Sequence, residues 1–277
     1  LGDEAQRRRV AMDPLDAQQA YVGGRLVDLE DRPRLDAVAG AEIGDVTGVA
    51  DGDLGGADLH LFFNQIAPPR SIINFLTKDV ETLKDVVLPT PSANLKIVCG
   101  GNEMVGLANL PYMVKEELLR HIQNLDADFI LLDLGAGTSY NTLDLFALSD
   151  QGMIVCTPEP QARVDAYGFI KNTVYRKLRR RFAKNEEIRK GVIERFATGS
   201  GRKSGRIREL LELIYAADET AGAEAENLLR AFRPKLILNR VRNKRQVEEA
   251  QRFIVLVKEY LSTDMKYVGY VRSDMKI

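Results

Sequence analysis

The chain has 277 residues, enough to bury one large core or two smaller ones, and Lys and Arg (39) almost balance Asp and Glu (40), so net charge points neither toward nor away from nucleic acid. Two cysteines, Cys99 and Cys156, exclude a disulfide scaffold, and His60 and His121 stand in no Cys or Glu cluster with zinc spacing. No apolar run approaches the ~18 residues of a membrane span and no secretory signal is visible, which together point to a reducing cytoplasm.

Residues 1–45 carry Arg7 to Arg9 and scattered Asp and Gly, with neither a helix period nor a strand alternation that would hold a core face. They read as a segment apart, with poor order expected before about residue 45. The chain begins at Leu1 and stops at Ile277 soon after an apolar strand, a pattern compatible with truncation at both ends. From residue 46 onward the texture changes. Apolar runs bounded by turn residues predict strands at 95–99, 129–132, 153–156, 236–238 and 267–271. Cys99 and Cys156 close two of these runs and read as buried strand residues. Between the runs, 111–125, 161–182 and 244–261 have a helical period, with Tyr112, Leu118, Leu119, Ile122 and Leu125 largely on one face. Strands alternating with helices predict an α/β fold: a doubly wound, mostly parallel sheet with helices on both faces. Residues 184–231 interrupt the alternation with mainly polar helices around a basic loop, Gly199–Gly205, and read as a helical insertion; Pro234 then opens the next strand.

The segment Asp128-Phe-Ile-Leu-Leu-Asp-Leu-Gly-Ala-Gly-Thr138 carries the strongest chemical signal. An apolar strand ending in Asp133 delivers a carboxylate to the carboxyl edge of the sheet, where it can hold a water on Mg²⁺. Gly135 and Gly137 let backbone amides approach a γ-phosphate. The other reading is a strand followed by an ordinary Gly-rich turn. Asp51-Gly-Asp-Leu-Gly-Gly-Ala-Asp58 places further carboxylates among glycines, either a loop that meets Mg²⁺ and an attacking water or a solvated acidic turn. Arg176 to Arg181, and Arg240 to Arg245, form basic clusters; these read first as solvated helix faces and second as non-specific DNA contacts.

Taken together, the blocks Asp51–His60, Leu131–Ser139, Thr157–Pro160 (T-P-E-P), Tyr167–Lys171 (Y-G-F-I-K), Leu236–Val241 and Val268–Val271 resemble the MinD/ParA family of P-loop ATPases, and most the branch related to the flagellar-number regulator FlhG, also called FleN. The resemblance covers roughly 46–277 and implies ATP and Mg²⁺ as cofactors, ATPase activity and a cytoplasmic switch that dimerises with ATP. It implies Asp51 and Asp53 as switch carboxylates near the metal and the attacking water, and Asp133 as the Walker B acid. It also implies Gly137 as an amide facing the γ-phosphate and Asn239, at a strand end, as an adenine contact; a strand-end cap is the alternative for Asn239. The implied partners are a second copy and a protein of cell positioning or flagellar regulation. Membrane association is not readable from these residues, and the alternatives are a DNA-associated partition ATPase or a pseudo-ATPase scaffold. Family members open with K-G-G-x-G-K-[ST]. No G-x-x-x-x-G-K-[ST] occurs in this sequence: in Gly199–Gly205, the nearest string, Arg202 stands where the glycine must be. The expectation is an α/β ATPase-like domain over 46–277 without its first strand and phosphate loop, impaired in nucleotide binding.

Overall fold

A computed structural model describes residues 19–22, 25–28, 47–52, 59–63, 65–92, 94–101, 110–149, 152–197 and 206–273. The chain divides into two compact units, one spanning Gln18–Ser149 and the other built on Asp150–Ile277.

In the first unit, β1 (Gln19–Val22) and β2 (Arg25–Asp28) pair antiparallel as a hairpin. The sequence reading anticipates no such element. The hairpin's strands are too short to show a marked alternation. The main sheet has the order β4 (Val87–Pro89), β5 (Leu95–Val98), β3 (Thr47–Asp51), β6 (Phe129–Asp133). β3 lies parallel to both β5 and β6, and β4 is antiparallel at the edge. Three helices accompany the sheet: α1 (Ile72–Leu76), α2 (Tyr112–Gln123) and α3 (Tyr140–Phe146). Their apolar positions meet in one core with the sheet, where Phe75, Leu83, Val86, Val98, Leu118, Ile122 and Leu145 are buried. Short α1 is fixed by a capping box: Ser71 Oγ accepts from Ile73 N–H while Asn74 Oδ1 accepts from Ser71 N–H at 2.9 Å. Cys99, directly after β5, is fully buried, as the end of an apolar run requires.

In the second unit, β7 (Met153–Cys156), β8 (Lys235–Val241) and β9 (Lys266–Arg272) form a parallel sheet in that order. The α/β reading therefore holds, with the parallel strands shared between two sheets. Among the described residues, β6 and β7 each pair along one side only. Helix α4 (Pro160–Arg181) begins with Pro at its first position, where the missing N–H costs nothing. A π-helical stretch, Glu187–Glu194, runs into α5 (Arg195–Ala197), followed by α6 (Ile207–Ala217) and α7 (Glu219–Ala231). Ile188, Ile193, Ile207, Leu210, Ile214 and Leu229 are buried, so these helices share the core of the unit rather than hang from it. Helix α8 (Lys244–Leu261) is capped by Asn243, which accepts from Gln246 N–H at 3.1 Å, and ends at left-handed Ser262 (φ 50°). Cys156 is buried as expected, and burial pushes its thiol up to about 11.

Candidate functional site

Asp51 and Asp133 end neighbouring parallel strands as register partners. They stand 82 positions apart in sequence; the sheet brings them to one strand spacing, about 4.8 Å. Like charges at directly paired strand positions repel unless a countercharge joins them. No Lys or Arg stands between Arg34 and Arg70, or between Arg120 and Arg163, so neither acidic segment carries a counter-charge of its own in sequence.

Gly52 binds the two strand ends together, its N–H donating to the Asp133 carbonyl at 2.7 Å. A Cβ at Gly52 would sit 2.9 Å from that carbonyl oxygen and 2.7 Å from Leu134 Cδ2, so only glycine permits this approach. The sequence reading passes over Gly52; the signal was a glycine between two carboxylates at a strand end. Beyond Asp133, which is exposed, the chain turns through Gly135 and Gly137. Gly137 has φ +99°, a backbone state that a side chain resists, in accord with the glycine turn read from sequence. The turn closes at Ser139, whose Oγ accepts from Thr142 N–H at 3.1 Å and caps α3. Asp53 lies outside the described residues, as does the basic loop Gly199–Gly205.

Behind the turn sits a group that sequence reasoning missed. Lys115 on α2 and Asp144 on α3 form an ion pair with side-chain exposures of 6% and 0%, and Lys115 Nζ also donates to Asn141 Oδ1 at 3.5 Å. The visible signal was Asp144 embedded in Leu143-Asp-Leu-Phe146, a charge amid apolar residues of a helix.

Asn239 belongs to the second unit, half-buried near the end of β8. Its Oδ1 accepts from Arg240 N–H at 2.9 Å, and Arg240 takes the left-handed conformation (φ 60°). The register between β8 and β9 shifts at this point, which lifts the strand end out of a regular ladder. Glu159, the N-cap of α4, is held below the usual carboxylate range by the Thr157 hydroxyl, then by its own backbone N–H and by the Arg240 and Arg242 charges. The basic end of α4 is partly neutralised within the chain: Arg179 pairs with Glu194 at 3.2 Å and Arg181 with Glu224 at 2.9 Å.

No protein-family model matches the chain. It is 28% identical over 138 residues to the flagellum site-determining protein YlxH of Helicobacter pylori, a match covering 45% of this chain and 42% of that protein. The chain thus spans less than half the length of the curated relative it matches. Among solved structures it is similar to the septum site-determining protein MinD of Pyrococcus horikoshii, complexed with Mg-ADP (16% identity, TM-score 0.49, covering 83% of this chain and 70% of that one). It is also similar to the cell division ATPase MinD of Pyrococcus furiosus (22% identity, TM-score 0.40, covering 45% and 52%). The sequence match agrees with the resemblance carried by the motifs: the chain is similar to FlhG-like proteins of the MinD/ParA type. Among the described residues no helix is long and apolar enough to cross a membrane.

Proposed function

We propose that this chain carries the metal-binding and hydrolytic part of an ATP-dependent positioning switch, in which ATP and Mg²⁺ favour a dimer and hydrolysis releases it. The observation that carries the reading is the register of Asp51 with Asp133 at one strand end, followed by the glycine turn. Those residues fit a divalent cation: two paired carboxylate positions and a glycine that admits close strand approach. Asp51 and Asp133 would hold Mg²⁺ through water, and the metal would supply neutralisation of phosphate charge. Gly135 and Gly137 would offer backbone amides to the terminal phosphate. Asp53 would orient the attacking water, and Asn239 would contact the adenine. The likeness to a flagellum site-determining protein supports a positioning role; the expected partners are a second copy and a protein of flagellar or cell positioning.

The sequence given contains no lysine-bearing phosphate loop, and a carboxylate edge alone cannot neutralise β- and γ-phosphates. This chain by itself should therefore bind Mg-ATP weakly or not at all; micromolar affinity in a calorimetric titration would contradict that. In a form of the protein that carries such a loop, Mg-ATP should bind and Asp133→Ala should abolish turnover while leaving the fold intact. Asp53→Ala should slow turnover more than it weakens binding. A naturally complete protein that lacks the loop and binds no nucleotide would replace the switch reading with a pseudo-ATPase scaffold. Salt-dependent DNA binding would instead favour the partition reading, although the ion pairs at the end of α4 leave that cluster less charge to offer.

A further inference from the structure

We propose that Lys115 is a positioning residue: its buried ion pair with Asp144 sets the orientation of α3, and through the Ser139 cap it sets where the Gly135–Thr138 turn points. This deepens the reading of Asp133 and its glycine turn as the phosphate-facing edge, and it rests on that reading for its functional meaning.

Asp144 is fully buried, Lys115 is 4% exposed and Asn141 is 6% exposed. Burying two charges costs desolvation that their attraction only partly returns, so such a pair is weak evidence for stability and better evidence for a fixed arrangement. The pair joins α2, which precedes β6 in the chain, to α3, which follows the turn. Asn141 and Asp144 stand three apart, on one face of a helix only seven residues long, and both are within the reach of one ammonium group. A helix that short has little hold on its own direction. Apolar neighbours such as Leu143 and Leu145 can seal it against the core, but they tolerate rotation and slippage that a directional pair does not. What the pair fixes is transmitted directly. Leu143 N–H donates to the Ser139 carbonyl at 3.0 Å and Thr142 N–H donates to Ser139 Oγ, so the first turn of α3 and the end of the glycine turn move as one.

The test is amide hydrogen exchange in the nucleotide-free protein, read at Thr142 and Leu143 and, as an internal reference, at the paired amides of β3. K115M strands a buried carboxylate and should lower the denaturation midpoint sharply or prevent folding. The informative variant is K115M/D144V, which replaces the pair by apolar groups of nearly the same combined volume. It should fold with a midpoint near that of the parent, yet exchange at Thr142 and Leu143 about tenfold faster relative to β3. K115R should hold the protection at those two amides near the parent level. Exchange that rises equally at α3 and β3, or at neither, in the double variant overturns the proposal and reduces the pair to ordinary packing. Because no nucleotide is present, this outcome is independent of ATP binding; Mg-ATP affinity and turnover in the loop-bearing form report on the functional reading separately.

Discussion

Two strand ends of this protein treat charge in opposite ways. At the end of β3 and β6, Asp51 and Asp133 stand in register, glycines follow, and no Lys or Arg falls between Arg34 and Arg70 or between Arg120 and Arg163. At the end of β7 and β8, Glu159 meets the Thr157 hydroxyl and the charges of Arg240 and Arg242. The second end draws its compensation from within its own unit. At the first, the proposed reading is a cation edge, because like charges brought together by a fold are tolerable when something positive joins them. The contrast distinguishes the two acids by their settings: Glu159 begins a 22-residue helix with a negative charge at the favourable end of its dipole, whereas Asp133 ends a strand and begins no helix.

The sharpest way to break the contrast is to remove each acid in a form carrying the phosphate loop. Asp133→Ala should abolish turnover, because it removes a group proposed to hold the ion that neutralises transition-state charge. Its effect on unfolding should stay within about 0.5 kcal/mol, because the side chain is exposed. Glu159→Ala should show the reverse ranking, with turnover affected less than tenfold. Equal kinetic losses would erase the distinction.

A core substitution tests whether the two units hold their stability separately. Leu118→Ala, in the core beneath β3 and β6, should cost about 3 kcal/mol, and hydrogen exchange should accelerate within 47–149 more than within 235–272. Uniform acceleration would mean the units open together.

A smaller effect comes from Lys235. It is 2% exposed; burial, and secondarily its register neighbour Lys266, push its ammonium down to about 8. The unfolded chain therefore holds a proton on this lysine between about pH 8 and 10.4 that the folded chain has lost. Its penalty on stability is full below pH 8 and is relieved as pH rises through that window, with a slope of at most about 1.4 kcal/mol per pH unit. Cys156 acts oppositely: its raised thiol leaves the unfolded state to ionise first above about pH 8.5, so stability falls there. Comparing the parent with Lys235→Met by denaturant melts at pH 7 and pH 9.5 isolates the lysine. The stability advantage of the methionine variant should shrink at the higher pH; a constant gap would contradict the assignment.

Smallest is Gly137→Ala. No atom lies within 4 Å of the added Cβ, so the cost is that of the φ +99° backbone alone, about 1 kcal/mol or less if the turn relaxes. Nucleotide affinity in the loop-bearing form should fall more than stability does, since relaxation of the turn redirects its amides.

Most of the framework was legible because long apolar runs and helical periods leave little choice. The strand ending at Asp133, the one ending at Cys156 and the helix from Lys244 all stand where periodicity places them. Short elements were not: Ile72–Leu76 exists by virtue of its Ser71–Asn74 cap, and the Gln19–Asp28 hairpin by strand pairing that no local pattern announces. The candidate site was legible as residue types, since Asp-x-Gly-x-Gly after a strand is a local signal. What brought Asp51 beside Asp133 was sheet register, and what ties the turn to α2 is a pair formed between Lys115 and Asp144. Both are long-range facts, set by packing partners that sequence spacing does not reveal.

The central claim is that the end of β3 and β6 is a divalent-cation edge, and paramagnetic broadening by Mn²⁺, used in place of Mg²⁺, tests it most directly. In amide NMR spectra of the chain, low Mn²⁺ should broaden Asp51, Gly52 and Leu134–Gly137 first, and Asp133→Asn should abolish that pattern without altering the rest of the spectrum. Broadening centred elsewhere, or unchanged by Asp133→Asn, would contradict the account.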